Sequence, residues 1–212
     1  MTVRTYSPDE VLVQERRRQI VIAAAALFIK QGFLKTTVRE IATHSGMSIG
    51  TLYHYVGSKD DILSLFEEAA FSSLATFTQQ SSSAQNDMTP SKALRQAIAD
   101  YLSFIDEIQD VIVFWYQETR NLPATHRRYL FQQEEDCANL FGRPLARGCE
   151  CGEFKIANLP LAAHSIVVLC DMWAFRRWFL RKHFTLEQYT AQLTELVFSG
   201  LRGDRAETVS SF

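Results

Sequence analysis

Thr37-Val-Arg-Glu-Ile-Ala-Thr-His-Ser-Gly-Met-Ser-Ile-Gly-Thr-Leu-Tyr-His-Tyr-Val56 reads as two short helices joined by a tight turn. Thr37 and Glu40 have capping-box spacing, so a hydroxyl and a carboxylate satisfy amide donors reciprocally where the first helix begins. Val38, Ile41 and Ala42 recur at helical spacing and form its apolar face. Ser45-Gly46 ends it, because glycine enters the left-handed region without a Cβ clash. Ser48 then caps a second helix. Met47, Leu52 and Val56 are expected to turn inward there, and Ile49, Gly50, Thr51, Tyr53 and His54 outward. The spacing predicts a helix-turn-helix.

Outward from this stretch, Ser7-Pro8-Asp9-Glu10 has the form of a helix start, with a serine cap, an early proline and acids at the positive dipole end. The helix that follows is expected to run to about Gln31 and stop at Gly32, with Ile20, Ala23, Ala24, Leu27 and Phe28 on its buried face. After the motif, Ser58 caps a fourth helix and Asp61 completes a second capping-box pattern. Ile62, Leu63, Phe66, Ala70 and Phe77 carry that helix to roughly Phe77, and the serine-rich stretch from Gln79 to Pro90 reads as a loop. A further amphipathic helix carries Leu94, Ala97, Ile98, Tyr101, Leu102, Ile105 and Ile108. Leu122-Pro123 is a break, Pro144 is expected to kink or shorten a long segment, and Gly148-Cys-Glu-Cys-Gly152-Glu-Phe reads as a turn. One strongly apolar helix is expected from about Pro160 to Lys182, a last one from Leu186 to Leu201, and a frayed tail beyond Gly203.

The fold class is therefore all-α, with about nine helices. The chain has 212 residues, 47% of them hydrophobic, enough for one large domain or two small ones, and too many for whole-chain disorder. No alternating strand pattern flanked by hairpin turns appears. The division expected is 1–62 for an N-terminal extension and helix-turn-helix domain, 63–88 for a connecting helix and linker, 89–203 for a larger helical domain, and 204–212 for a tail. The longest apolar run, Ile20 to Ile29, is short of the ~20 residues that span a bilayer, and the N-terminus lacks an apolar leader. A cytoplasmic protein with reduced cysteines, no membrane segment and no cofactor is expected. Net charge is −2, but unevenly spread: eight basic residues face six acidic ones up to Ile62, against 14 and 18 beyond it. The first third is the face better suited to an anionic partner.

Gly32-Phe33, Thr36-Thr37-Val38-Arg39-Glu40-Ile41-Ala42, Gly46-Met47-Ser48, Gly50-Thr51-Leu52-Tyr53-His54-Tyr55-Val56 and Ser58-Lys59-Asp60-Asp61-Ile62-Leu63 together resemble the N-terminal domain of Tet-repressor-type (TetR) transcriptional regulators. Val56-Gly57 departs from that pattern, where many members have phenylalanine and a polar residue. The resemblance covers the first third closely and the rest in layout only. It implies a homodimer on a palindromic double-stranded DNA operator. Thr37, Tyr53, Tyr55 and Lys59 would touch phosphate, and Arg39, Ser48, Ile49, Gly50, Thr51 and His54 would read or approach base edges. The last two helices would form the dimer interface, through Leu186, Tyr189, Leu193, Leu196 and Val197.

A regulator of this kind implies an effector site in the larger domain. Phe104, Trp115, Tyr116, Tyr129, Phe141, Trp173 and Phe175 are many aromatics for a small core, and Glu118, Arg120, Arg176 and Arg177 stand among them. Charges among buried aromatics must pair, reach solvent or hold an anion. Phe104, Trp115, Tyr116, Glu118, Arg120, Tyr129, Trp173 and Arg177 are the ligand-binding candidates. The Trp-Tyr-Gln-Glu-Thr-Arg-Asn and Arg-Arg-Trp-Phe segments are similar to members that answer to acyl-coenzyme A thioesters, so the expected effector is a small amphipathic molecule with an acidic or phosphate-bearing head. One alternative is a metal- or redox-sensing regulator using Cys149 and Cys151, with Cys137 and His126. A helical enzyme is the other, but no His-x-x-x-His pair, phosphate loop or nucleophile elbow supports it.

Overall fold

In the computed structural model, residues 10–85 and 87–201 are described; the expected cap Ser7-Pro8 and the tail beyond Gly203 lie outside them. Nine helices occur among the described residues, with no strand: α1 Glu10–Gln31, α2 Val38–His44, α3 Ile49–Tyr53, α4 Lys59–Ala84, α5 Pro90–Glu118, α6 Ala124–Glu150, α7 Leu159–Phe175, α8 Arg177–His183 and α9 Leu186–Leu201. The chain forms two compact units. One holds the described residues through Leu74 together with Val113–Leu130, and the other holds Ala75–Ile112 together with the residues from Phe131.

The first unit is built on the predicted stripe of α1. Ile20, Ala23, Ala24, Leu27 and Phe28 are all buried. Phe28 meets Phe33, Phe66 and Phe114 at ring separations of 5.4, 6.0 and 5.9 Å, and Trp115 stacks on Phe66 at 5.1 Å. This aromatic cluster ties the helix-turn-helix to α4 and to the end of α5. Gly32 takes φ +84° to close α1, and a Cβ there would stand 2.7 Å from the Glu118 carboxylate.

In the second unit Leu94, Ala97, Ile98, Tyr101, Leu102 and Ile105 of α5, Leu140, Phe141 and Leu145 of α6 and one face of α7 are buried. Phe141 meets Tyr101 edge-on at 5.5 Å, and Phe104 stacks on Phe77 at 4.6 Å. At Ile108 the backbone leaves helical geometry (φ −108°, ψ 16°), a break within α5.

Three boundaries differ from expectation. α4 continues past Phe77 to Ala84, because its serines are satisfied inside a helix. Ser81 donates to Asp100 and accepts from Gln85, while Ser83 donates back to the Gln79 carbonyl. α6 carries Pro144 without ending and takes in Gly148-Cys149-Glu150, leaving a shorter turn at Cys151–Glu153 with Gly152 at φ +79°. The expected helix from Pro160 to Lys182 is two helices bent by 83° at Arg176, since the buried face of α7 gives way to the exposed Arg176, Arg177 and Trp178. No single described helix is long and apolar enough to cross a membrane.

Gly148 has a packing role. The Phe154 ring occupies the space where a Gly148 Cβ would go. Gly148→Ala is expected to cost about 1–3 kcal/mol or more through overpacking, seen as a lower urea midpoint, and Phe154→Leu in the same chain should recover part of it.

Candidate nucleic-acid interface and effector-side residues

The helix-turn-helix forms as its caps dictate. Thr37 Oγ1 accepts from the Glu40 amide at 3.2 Å, and the Glu40 carboxylate accepts from the Thr37 amide at 2.8 Å. These hydrogen bonds hold the Glu40 carboxyl below its usual range. Ser48 Oγ accepts from the Thr51 amide at 3.0 Å and fixes the start of α3. Leu52 is fully buried and anchors α3, so Ser48, Ile49, Gly50, Thr51, Tyr53 and His54 all face solvent. Thr37 and Arg39 are exposed beside them. No Cβ contact closer than 3.8 Å would meet a side chain at Gly50, so the backbone is open to close approach.

Two of the expected phosphate contacts also bond within the chain. Tyr55 is nine-tenths buried, and its carbonyl accepts from Arg17 Nε at 3.2 Å, so this side chain belongs to the core. Lys59 points inward. Its Nζ donates to the carbonyls of Phe33, Leu34 and Thr36 at 2.8, 3.4 and 3.0 Å and lies 4.2 Å from the Phe33 ring centre. Partial burial lowers the pKa of this ammonium. It clamps the α1–α2 loop onto the start of α4, where a phosphate contact would have to compete with three carbonyls.

The effector-side residues divide between the units. In the first, Trp115 is buried against Phe66 and Phe71, Tyr129 meets Phe71 edge-on at 5.3 Å, Glu118 faces the Gly32 turn, and Tyr116 and Arg120 are exposed. In the second, Phe104 is half-buried, and Trp173 is buried with its Nε1 donating to Asp106 at 2.7 Å. Arg177 is exposed and bonded to Asp110, and Arg181 to Asp106. The carboxylates facing these arginines come from α5, on a face that sequence periodicity assigned only by its apolar residues.

A buried pair escaped the sequence reading. His126 Nδ1 and Glu67 Oε2 are 2.5 Å apart, and both side chains are more than nine-tenths buried. Burial raises the Glu67 carboxyl and the His126 hydrogen bond opposes that rise. The available signal was a glutamate one step from Phe66 and four before Phe71, on the apolar side of α4.

The dimer stripe is largely covered from within the chain. Leu193 and Val197 are buried, Leu186 is half-buried, and Tyr189 donates to the Leu169 carbonyl at 2.7 Å while leaning on Trp173. Leu196 remains 61% exposed, as do Leu161 and Val168 on α7 at 63% and 41%. The four cysteines are free thiols, Cys137 and Cys170 buried and Cys151 exposed; no metal-holding group of three or more His, Cys, Asp or Glu occurs among the described residues.

Residues 20–66 match the family described as bacterial regulatory proteins, tetR family, and residues 87–201 match the tetracyclin repressor-like C-terminal domain. The HTH-type transcriptional regulator HbdR of Aromatoleum sp. (strain CIB) is 33% identical over 90% of this chain and 82% of its own length. Among solved structures, the TetR family regulator PfmR of Thermus thermophilus superposes with a TM-score of 0.70 at 25% identity, over 86% of this chain and 98% of that one. FadR of Bacillus subtilis, solved in complex with stearoyl-CoA, superposes at 0.69 and 24% identity over 87% and 98%. With its helix-turn-helix, all-helical fold and matched second domain, the chain belongs to the TetR family: it is a ligand-responsive, DNA-binding transcriptional regulator and not an enzyme.

Proposed function

We propose that the chain is a cytoplasmic repressor that binds a palindromic operator as a homodimer and leaves it on binding an amphipathic effector. The outward face of α3 carries the reading, with Leu52 buried behind it. Arg39 suits guanine, at about 1–3 kcal/mol of discrimination, and Ile49 suits a thymine methyl. Thr37 and Tyr53 set register on phosphate. Two such heads would meet half-sites roughly 34–36 Å apart or slightly more. Leu196, with Leu161 and Val168, is the apolar surface left for a second copy, and the covered Leu186, Tyr189, Leu193 and Val197 support it from behind.

The effector is proposed to be an acyl thioester or a molecule of that shape, as in the stearoyl-CoA complex of the Bacillus subtilis relative. The candidates to hold it are Trp115, Tyr116, Glu118, Arg120 and Tyr129 within the first unit or, separately, Phe104, Trp173 and Arg177 within the second. Trp115 shares an aromatic cluster with Phe28 of α1, so a ligand against Trp115 acts on the same packed unit that holds the recognition helix. A coupling of ~1–3 kcal/mol would suffice for release.

The test selects bound sequences from random DNA with purified protein, then adds palmitoyl-coenzyme A. A palindrome should be enriched and then released; failure to enrich one overturns the operator reading, and release by cationic drugs but not by thioesters overturns the effector class. Tyr53→Phe should weaken binding to every sequence alike by about 1 kcal/mol or more per subunit, whereas Arg39→Ala should relax preference at one base position in each half-site.

A further inference from the structure

Gln31, Gly32, Thr36 and Lys59 gather the α1–α2 loop into one polar cluster. Lys59 Nζ donates to the carbonyls of Phe33, Leu34 and Thr36. The buried Thr36 donates through Oγ1 to the Gly32 carbonyl at 2.8 Å and accepts from Gln31 Nε2 at 3.4 Å. The same Gln31 nitrogen reaches the Glu40 carboxylate at 3.3 Å, and that carboxylate accepts from the Thr37 amide where α2 begins. The cluster therefore holds the start of α2, and with it the exposed Thr37 and Arg39.

A carboxylate from outside the motif stands against this loop. Glu118 is the last residue of α5, half-buried and within the same unit. Its Oε1 lies so close to Gly32 that a Cβ there would meet it at 2.7 Å, a steric reason for glycine added to the positive φ. Asn121 Nδ2 donates to Oε2 at 3.2 Å, whereas Oε1 accepts no hydrogen bond among the described residues. The cation it faces is Lys59. Burial lowers the pKa of that ammonium, and the charges of Asp60 and Glu118 oppose the fall. Asp60 is exposed and Glu118 half-buried, so water screens the second charge less.

We propose that Glu118 is a positioning residue for DNA binding: its carboxylate, seated against Gly32, keeps the Lys59 ammonium on the loop carbonyls and so holds the start of α2 in place for DNA. A half-buried ammonium on three neutral carbonyls has its hydrogen bonds but not its charge satisfied, and a carboxylate at the edge of the cluster supplies the balance. Without that charge the carbonyls remain, but water competes for the ammonium on better terms and the loop opens more often. The end of α5 thus meets the head twice, through the rings of Phe114 and Trp115 and through this charge. The inference goes beyond the effector reading and does not rest on it, since DNA binding alone requires the loop.

Glu118→Gln in the full chain tests this, because it keeps the shape of the side chain and an acceptor for Asn121 while removing the charge. Hydrogen exchange at the Thr36 and Thr37 amides, followed by NMR, is expected to quicken at least fivefold, with the Leu52 amide of α3 unchanged. Binding to a mixed-sequence DNA duplex should weaken at least threefold while the urea midpoint moves little. A double-mutant cycle separates charge from packing. In a Lys59→Gln chain, adding Glu118→Gln should leave exchange at Thr36 and Thr37 as it was, since the carboxylate then has no ammonium to hold. Wild-type exchange in Glu118→Gln, equal acceleration with and without Lys59, or faster exchange with unaltered DNA affinity each overturns the proposal. Any of these leaves the operator and effector readings standing and removes only the role of Glu118.

Discussion

Phe28→Ala is expected to destabilise the helix-turn-helix unit by about 3–5 kcal/mol, the cost of emptying a fully buried aromatic position that cannot collapse. Phe28 has no exposed surface, and its ring is shared by Phe33 after α1, Phe66 on α4 and Phe114 on α5. Loss of this ring loosens the α1–α2 connection and the seating of α1 on α4 together. Equilibrium unfolding should show a lower midpoint, with operator binding lost at temperatures where the rest of the chain keeps its helicity. Phe28→Leu, which keeps most of the volume, should recover more than half of the loss. A midpoint unchanged by Phe28→Ala would mean that the cluster does not hold the head, and with it the proposed route from Trp115 to α3 would fail.

The ring pattern around Phe28 shows where sequence reasoning reaches and where it stops. Local chemistry was legible: Thr37 with Glu40, Ser48 before α3, Gly32 and Gly46 at positive φ and the α1 stripe all follow from contacts within a few residues. Side chains whose partners lie far along the chain were not. Lys59 reads as an exposed phosphate contact by position, but the carbonyls that take its Nζ belong to residues 33, 34 and 36, brought under it by the loop. Tyr55 lies one step past an exposed pair and is turned inward by the short turn that follows α3. Helix lengths failed where side chains rescued the backbone, as at Ser81 and Ser83. The Glu67–His126 pair spans 59 residues and has no sequence pattern at all. Family resemblance reached the recognition helix for the same reason that physics did, since its signals are short-range; the effector side is built from long-range pairs, and there both were weakest.

Asp171→Asn is expected to stabilise the second unit by up to about 4 kcal/mol at pH 8 and by almost nothing at pH 4, opposite to the usual effect of losing a native carboxylate. Burial pushes the Asp171 carboxyl up to about 7, with Glu134 of α6 adding repulsion and the Tyr101 hydroxyl, donating at 3.2 Å, partly offsetting it. The buried thiols of Cys137 and Cys170 beside it are themselves raised by burial, so they stay neutral and add no negative charge. The folded value lies above the unfolded one, so the folded state holds the proton more tightly. The group's contribution is fully present below about pH 4 and is lost as pH rises towards 7. A rise from the ordinary 3.8 to about 7, at about 1.4 kcal/mol for each tenfold change in proton affinity, gives the expected size. Asparagine keeps an acceptor for Tyr101 and carries no charge, so its variant should show a flatter stability profile between pH 4 and 8, in denaturant unfolding at constant ionic strength. Parallel profiles for the two proteins would show that Asp171 ionises freely in the fold. A converging pair at low pH would show that the second unit bears a standing electrostatic cost at neutral pH, at a carboxylate two residues from the Trp173 indole proposed to meet the effector.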